Sequence, residues 1–204
     1  MSKNPIIVFE GIEGSGKSLH INNVSNYLKK INRKFIKIRE PGGSNNSEKI
    51  RKLILNNKSS CNQNTDLLLY MASWNEDITL IKKNYQKKII LIDRFIDSTI
   101  AYQHYGLGVD IKIVNFINKF LLKDIKVTFT FLNLVNSKNM IERLKKRKKL
   151  NRYDKFSTVF YNKVQKGFLK ISKKRNKEYL KVNSNLEIKF NKKMIINKVK
   201  ELIK

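Results

Sequence analysis

An eight-residue loop, GIEGSGKS at positions 11–18, is the feature that most constrains this chain. It fits the pattern G-x-x-x-x-G-K-[ST], follows an apolar run at 6–9 and precedes a segment with helical periodicity at 20–30. A strand, a glycine loop and a helix in this order form a phosphate cradle, because the loop N–H groups and the helix N-terminus both attract anions. Lys17 is expected to reach the β- and γ-phosphates, and the Ser18 hydroxyl group to bind Mg²⁺. The segment predicts a nucleoside-triphosphate site formed by Gly11, Ile12, Glu13, Gly14, Ser15, Gly16, Lys17 and Ser18.

The chain is expected to form one domain over residues 1–204. Its length and its 41% hydrophobic content suffice for a single sizeable core. No apolar run reaches 18 residues and segment 1–5 is polar, so neither a membrane span nor a signal peptide is expected. The single cysteine, Cys61, excludes an internal disulfide and is typical of a protein in the reducing cytoplasm.

A formal net charge of +28 is the most conspicuous bulk property. Such a charge is often the mark of a protein that binds nucleic acid or another anionic surface. Here the basic residues are spread along the whole chain and accompany abundant Asn and Ile. This distribution favours the interpretation that the charge results from drift in amino-acid composition on a solvated surface. Nucleic acid is therefore not expected as a partner, although a nucleic-acid-binding P-loop ATPase remains the alternative from another functional class.

Short apolar runs alternate with segments of helical periodicity, which predicts an α/β fold around a parallel sheet with right-handed crossovers. Glu10, Glu13, Glu40, Asp93 and Asp97 lie at or beside predicted strand ends, where open α/β sheets bind ligands. The predicted strands are 6–9, 35–39, 88–93, 127–134 and 179–182, and the predicted helices are 20–30, 47–55 with Ser47 as a possible cap, 64–83, 110–122, 137–147, 156–172 and 192–203.

Two short motifs follow the predicted strands. Asp93 and Arg94 end an apolar strand, where the carboxylate could hold Mg²⁺ and the guanidinium could clamp a phosphate. The alternative for this pair is an ordinary salt bridge at a strand end. The sequence EPGG at 40–43 predicts a tight turn in which the bond before Pro41 could be cis.

Two longer segments could also contribute to a site. The segment 95–103 carries hydroxyl, carboxylate and amide groups at helical spacing and could hydrogen-bond a heterocycle, or could be a polar helix start. Seven basic residues between 143 and 152 could be a solvated helix end, a nucleic-acid patch or a mobile lid. The P-loop favours the lid, at approximately 143–154, because lid arginines can neutralise a transferring phosphoryl group.

Taken in order, five motifs resemble the thymidylate kinase family of nucleoside-monophosphate kinases over almost the whole chain. They are FEGIEGSGKS, REPGG, LLLYMAS, IDRFIDSTIAYQ, and R-x-x-x-R-x-x-x-x-R from Arg143 to Arg152 followed by FYNKVQKGFL. The resemblance implies a P-loop nucleoside-monophosphate kinase fold, with a five-stranded parallel sheet flanked by helices and a short lid. It also implies phosphorylation of dTMP to dTDP by ATP and Mg²⁺, and a homodimer.

The resemblance also implies roles for individual residues. Glu13 matches an acid near the sugar 3′-hydroxyl group, Tyr70 an aromatic ring that stacks on thymine, and Arg94 an arginine on the dTMP phosphate. Arg51 matches a further phosphate contact, and the base-and-sugar side is matched by Ser98, Tyr102 and Gln103. The bacterial subtype without a P-loop arginine supplies that charge from the lid, so the catalytic residues implied are Lys17, Arg94, Arg147 and Arg152, with Ser18 and Asp93 at the metal.

Two positions depart from the family pattern. Trp74 is in the substrate-binding segment, at the position where the family usually has an arginine that donates to thymine O4. An indole has a single N–H group and cannot replace the forked donors of a guanidinium. Asn133 replaces a common acid after the fourth strand. A deoxynucleoside kinase, which has a similar P-loop and a similar Asp/Glu-Arg strand end, is the nearest alternative enzyme.

Overall fold

A computed structural model describes residues 4–123 and 125–204 of the protein. It contains a five-stranded, all-parallel sheet in the order β2-β3-β1-β4-β5, with Val8 of the central strand in register with Ile92 and Thr130. The strands are β1 (Ile6–Glu10), β2 (Phe35–Arg39), β3 (Ile89–Asp93), β4 (Phe129–Leu134) and β5 (Tyr179–Asn183). The predicted α/β fold with five parallel strands is confirmed.

Eight helices connect and flank the strands within the described residues. They are α1 (Lys17–Lys30), α2 (Asn45–Leu55), α3 (Gln63–Asn84), α4 (Ile96–Thr99), α5 (Ile111–Leu122), α6 (Ser137–Lys145), α7 (Thr158–Lys174) and α8 (Ile188–Leu202). A π-helix, Ile100–Gly106, continues α4, and short 3₁₀ turns lie at Tyr153–Lys155 and Asn176–Glu178.

The start of α2 differs from the prediction. Ser44, not Ser47, is the N-cap, and its hydroxyl group accepts a hydrogen bond from the Ser47 backbone N–H at 3.1 Å. The Ser47 side chain is fully buried and donates to the carboxylate of Asp77 on α3 at 2.7 Å. A serine can cap a helix or bind a neighbouring side chain, and tertiary packing decides which of the two it does.

The central strands are buried on both faces, which explains their uninterrupted apolar sequences. Ile7 and Phe9 pack on the side covered by α1 and α8, together with Val24. Ile6 and Val8 pack on the opposite side, against the apolar faces of α3 and α5. The core therefore lies in two layers, one on each face of the sheet.

A third apolar cluster joins the π-helix, the segment 153–156 and α7. The Tyr105 ring lies against Gly167, and the Phe160 ring lies against Gly106, each so close that a methyl group on the glycine would require movement. The two helices are thus interlocked beside the carboxyl ends of the strands. None of the described helices is both long and apolar enough to span a bilayer.

Candidate active site

The loop after β1 has the backbone that a phosphate cradle needs. Gly14 and Gly16 have φ angles of 69° and 85°, in the left-handed region that favours glycine. Gly11 has a φ of 139°, and a Cβ atom there would collide with the backbone oxygen of Asn133. The Asn133 side chain in turn donates to the backbone oxygen of Glu10 at 3.3 Å, so β4 supports the loop from below.

Lys17 lies across this loop. Its ammonium group donates to the backbone oxygens of Gly11 at 2.9 Å and Ile12 at 2.8 Å, and to the Ser15 hydroxyl group at 3.3 Å. Burial, and secondarily the nearby Arg94, lowers the pKa of Lys17 to about 7. An anion in the loop would counter both effects, so the side chain is held where a phosphate group would stabilise its charged form.

Two oxygen ligands suited to Mg²⁺ meet beside the loop. The Ser18 hydroxyl group donates to Asp93 Oδ2 at 3.1 Å, which joins the first turn of α1 to the end of β3. Hydroxyl and carboxylate oxygens are the donors that Mg²⁺ prefers, and this ion usually takes its remaining ligands from phosphate and water. In the described part of the chain no cluster of three His, Cys, Asp or Glu residues could hold a metal by itself. The donor pair therefore fits Mg²⁺ that arrives with a nucleotide.

Arg94 and Glu13 link the loop to the cleft beside it. Arg94 has a φ of 68°, and its guanidinium donates to Glu13 Oε1 at 2.7 Å and to the Gly11 backbone oxygen at 2.8 Å. The Tyr102 hydroxyl group donates to the other Glu13 oxygen, and Arg94 lies 5.0 Å from the Tyr102 ring centre. Burial alone would raise the pKa of Glu13, but Arg94 and Lys17 lower it below its ordinary value. Glu13 is therefore an ionised acceptor at neutral pH.

Glu10 ends β1 and is completely buried. Its carboxyl group accepts from the backbone N–H groups of Phe95 at 2.8 Å and Ser98 at 3.2 Å, and lies 2.5 Å from the Ser98 hydroxyl group. Burial, with Asp97 adding to it, raises the pKa of Glu10 to about 8. This carboxyl group joins the strand before the P-loop to the start of the helix that follows Arg94.

The cleft and the solvent at its opening together hold about 960 Å³ of empty space. All eight side chains predicted to bind substrate line it, namely Glu13, Arg51, Tyr70, Trp74, Arg94, Ser98, Tyr102 and Gln103. Lys17, Ser18, Asp93 and Arg147 line it as well. The structure thus brings together groups that are separated by as much as 134 positions in the sequence.

The walls of the cleft are aromatic. Trp74 is 2% exposed and packs on Phe95 with ring centres 5.0 Å apart, so it is a core ring that also forms one wall. Tyr70 meets Tyr153 edge-on at 6.0 Å, and Tyr102 meets Tyr153 at 6.1 Å. A flat, apolar slot of this kind can hold a heterocyclic base between rings.

Glu40 also lines the cleft and is 4% exposed. Burial, and then the neighbouring carboxylate of Asp77, raises the pKa of Glu40 well above its usual value. The Glu40–Pro41 peptide bond is cis, as the sequence allowed, and Arg51 Nη1 donates to the Pro41 backbone oxygen at 2.5 Å. Arg51 is thereby held in the lining of the cleft.

The two predicted lid arginines have different environments. Arg147 lines the cleft, its side chain is 40% exposed, and it pairs with Asp154. Arg152 instead donates from one nitrogen, Nη2, to both carboxylate oxygens of Asp66, at 2.7 Å each, and lies outside the lining. In this structure only the first of them faces the site directly.

Some site residues were not predicted from the sequence. Tyr153 and Asn151 of the lid segment line the cleft, and Tyr153 contacts both tyrosine walls. In the sequence, the one indication that Tyr153 belongs to the site is its position next to Arg152, a predicted site residue. Asp97 shares a helical segment with Ser98 but faces away from the cleft, where Arg175 and Tyr179 donate to its carboxylate.

A P-loop on the central strand, an aromatic cleft that begins beside it and a basic segment at 143–152 are together the features of a P-loop nucleoside-monophosphate kinase. The family model described as thymidylate kinase matches residues 9–195. The chain belongs to the thymidylate kinase family.

Similar proteins agree with this assignment. A thymidylate kinase of Thermosipho africanus is 39% identical over 176 residues, which cover 85% of this chain and 87% of that protein. A thymidylate kinase of a Sulfurihydrogenibium species is 35% identical and covers 96% of both chains. The crystal structure of a thymidylate kinase from Ehrlichia chaffeensis has a TM-score of 0.78 and 30% identity, and the match covers 98% of this chain and 99% of that one.

Proposed function

We propose that the protein transfers the γ-phosphoryl group of ATP to dTMP, in the presence of Mg²⁺, and thereby supplies dTDP for dTTP synthesis. The observation that carries this proposal is the double position of Glu13. Its backbone belongs to the P-loop, while its side chain faces the aromatic cleft and is bound there by Arg94 and Tyr102. One residue therefore borders both a triphosphate site and an acceptor site.

The donor site is the loop itself. The backbone of residues 11–18 and the ammonium group of Lys17 would hold the phosphates of ATP. Ser18 and Asp93 would hold Mg²⁺, which when bound neutralises charge on the β- and γ-phosphate oxygens. The two oxygens already lie 3.1 Å apart, which supports this pairing.

The acceptor site is the aromatic cleft. The thymine ring would lie between Tyr70 and the wall formed by Trp74 and Phe95, with Gln103 at its edge. Glu13 would accept the sugar 3′-hydroxyl group and so select against analogues that lack it. The remaining contacts would place the dTMP phosphate on Arg94 and Arg51, and the sugar beside Ser98 and Tyr102.

Transfer would be direct and in line, with no covalent enzyme intermediate. A dTMP phosphate oxygen forms a bond to the γ-phosphorus while the bond from that phosphorus to the β,γ-bridging oxygen breaks, and ADP leaves. The acceptor is already an anion, so the protein needs no strong base and acts by positioning and by neutralising charge. Lys17, Arg94 and Arg147 would neutralise that charge, and the same role for Arg152 requires its hydrogen bonds to Asp66 to break.

We further propose a cytoplasmic homodimer without a membrane or nucleic-acid partner. On α5, Ile113, Phe116 and Phe120 are exposed at spacings of three and four residues and form one apolar stripe. A second copy of the chain would cover this stripe.

The proposed reaction is tested by assaying dTMP and thymidine side by side with ATP and Mg²⁺. We expect dTMP to be phosphorylated and thymidine to be a poor acceptor, and a preference for thymidine would contradict the proposal. Arg94→Ala should lower kcat/KM for dTMP by about 10²-fold, because the cleft loses its central phosphate donor. Arg33→Ala is the matched control, since Arg33 binds the Ile203 backbone oxygen away from the cleft.

A further inference from the structure

Glu10 lies next to the acceptor cleft but is not part of its lining, and its side chain is completely buried. Its carboxyl group instead binds the segment 94–98, from which Arg94, Phe95 and Ser98 line the cleft. Any effect of Glu10 on a ligand in the cleft must therefore be transmitted by this segment.

The backbone of Arg94 needs support from both sides. Its φ of 68° lies in the left-handed region, which costs free energy in a residue other than glycine and persists only where neighbouring contacts offset that cost. On one side, the Arg94 N–H group donates to the Phe9 backbone oxygen at 3.0 Å. On the other side, the N–H groups of Phe95 and Ser98 both donate to Glu10 Oε1, at 2.8 Å and 3.2 Å. The short helix α4 has no capping side chain at its own N-cap residue, so Glu10 supplies the acceptor there.

The side chains complete a closed ring of hydrogen bonds. Glu10 Oε2 lies 2.5 Å from the Ser98 hydroxyl oxygen, and that oxygen accepts from Arg94 Nη1 at 3.4 Å. Arg94 Nη1 also donates, at 2.8 Å, to the backbone oxygen of Gly11, the residue that follows Glu10. The guanidinium group is thus attached to Glu10 along two routes, one through Ser98 and one through the P-loop backbone.

We propose that Glu10 is a positioning residue for the reaction and holds the Arg94 guanidinium group where it binds the phosphate group of the acceptor. This inference rests on the proposed function, in which Arg94 donates to the dTMP phosphate. The length of the side chain matters more than its charge for this role, because one group must reach the N–H groups of Phe95 and Ser98 together. A shorter side chain leaves those groups without their acceptor, and Arg94 then loses its fixed position.

The test compares Glu10→Gln and Glu10→Asp in the full-length protein. Glu10→Gln keeps the length and an acceptor oxygen, and its amide can donate to Ser98, so kcat/KM for dTMP should stay within about threefold of the wild-type value. Glu10→Asp keeps the carboxyl group on a shorter side chain. It should lower kcat/KM for dTMP at least about ten-fold and change the KM for ATP by less than about twofold, because Arg94 is displaced while the P-loop stays in place. Val199→Ala, a buried change on α8 outside the cleft lining, is the control for lost stability and should keep the wild-type kcat/KM.

A double-mutant cycle shows whether Glu10 acts through Arg94. If it does, adding Glu10→Asp to Arg94→Ala should lower kcat/KM by no more than about twofold further, because the group that Glu10 positions is already absent. Should Glu10→Asp not fold, Ser98→Ala interrupts the ring at its next member and takes its place in the cycle, with the same expectation. The inference is overturned by losses that multiply in the cycle, by a Glu10→Gln protein as impaired as Glu10→Asp, or by an equal loss in Val199→Ala. A wild-type protein that fails to phosphorylate dTMP would instead contradict the proposed function.

Discussion

Glu10, Glu13 and Asp93 end or follow neighbouring strands, yet each carboxyl group meets a different set of donors. Glu10 binds backbone N–H groups in a site closed to water, Glu13 binds a guanidinium and a phenol, and Asp93 binds one hydroxyl group. Their pKa values diverge accordingly, raised to about 8 for Glu10 and lowered for Glu13. A carboxyl group therefore stabilises the fold at Glu10, whereas at Glu13 it is an ionised hydrogen-bond acceptor.

The raised pKa of Glu10 predicts how stability depends on pH. The folded state holds this proton up to about pH 8, whereas the ordinary value is 4.5. Its contribution to stability is therefore complete below about pH 4.5 and is lost as the pH rises through about 8. We expect the free energy of unfolding to fall between about pH 5 and 6.5, with up to about 1.4 kcal/mol per pH unit from this group, because above about pH 7 the lowered pKa of Lys17 acts in the opposite direction.

Urea denaturation across that range measures the effect. Glu10→Gln should give a flatter dependence of the unfolding free energy on pH than the wild-type protein. Glu142→Gln, on the exposed face of α6, should keep the wild-type slope. A Glu10→Gln protein with the wild-type slope would show that the proton is held elsewhere.

Among the elements, the segment 143–154, which we predict to be a lid, is held in place by α2, the residues just after α2, and α3. The Arg152 backbone N–H donates to the Leu55 backbone oxygen at 3.3 Å, Asn57 donates to the Leu150 backbone oxygen at 2.9 Å, and Arg152 Nη2 donates to both carboxylate oxygens of Asp66. These contacts place Tyr153 against Tyr70. The end of this segment therefore completes the aromatic wall of the cleft, and Arg147 is also part of the cleft lining.

This division predicts different effects for the two arginines. Arg147→Ala should lower kcat by about 10²-fold with little change in melting temperature, because its side chain faces the cleft and is partly exposed. Arg152→Ala should instead cost about 1–3 kcal/mol of stability, because it leaves the buried Asp66 without its partner. Both are measured with saturating substrates and by thermal unfolding.

Lys148→Ala, an exposed change in the same basic run, is the control and should alter neither quantity. If Arg152→Ala lowers kcat as strongly as Arg147→Ala while stability is unchanged, Arg152 leaves Asp66 during the reaction. The division of roles between the two arginines would then be wrong.

The strands and the P-loop could be predicted from the sequence, because burial on both faces produces apolar runs and a phosphate loop requires glycines. The segment after Arg94 was harder. Its spacing is typical of an α-helix, but residues 100–106 form a π-helix interlocked with α7 through Tyr105 and Phe160. The partner of Arg152 was equally beyond prediction, since Asp66 lies 86 positions away. Local patterns do not specify such long-range packing.

For the whole molecule, the net charge of +28 and the apolar stripe of α5 favour different partners. The charge is spread over many elements, which supports no single nucleic-acid face, although it would speed the approach of polyanionic nucleotides. The stripe is local and continuous, and Phe116 at its centre is 73% exposed. A compact apolar patch of this kind is typical of a protein–protein interface.

Light scattering coupled to gel filtration tests the proposed homodimer. We expect a mass of about twice the 24.0 kDa of one chain. Phe116→Lys should give a monomer, because a charge would be buried in the interface, whereas Phe190→Lys on the exposed surface of α8 should remain a dimer. A dimeric Phe116→Lys protein would place the interface elsewhere.

Gly11 has a consequence for inhibitors of this enzyme. Its φ of 139° and the backbone oxygen of Asn133 together leave no room for any side chain. A compound that packs against Gly11 would therefore contact a position where any substitution disrupts the P-loop. Such a substitution would impair the enzyme as well as weaken binding of the compound. Resistance would have to arise at other positions of the site.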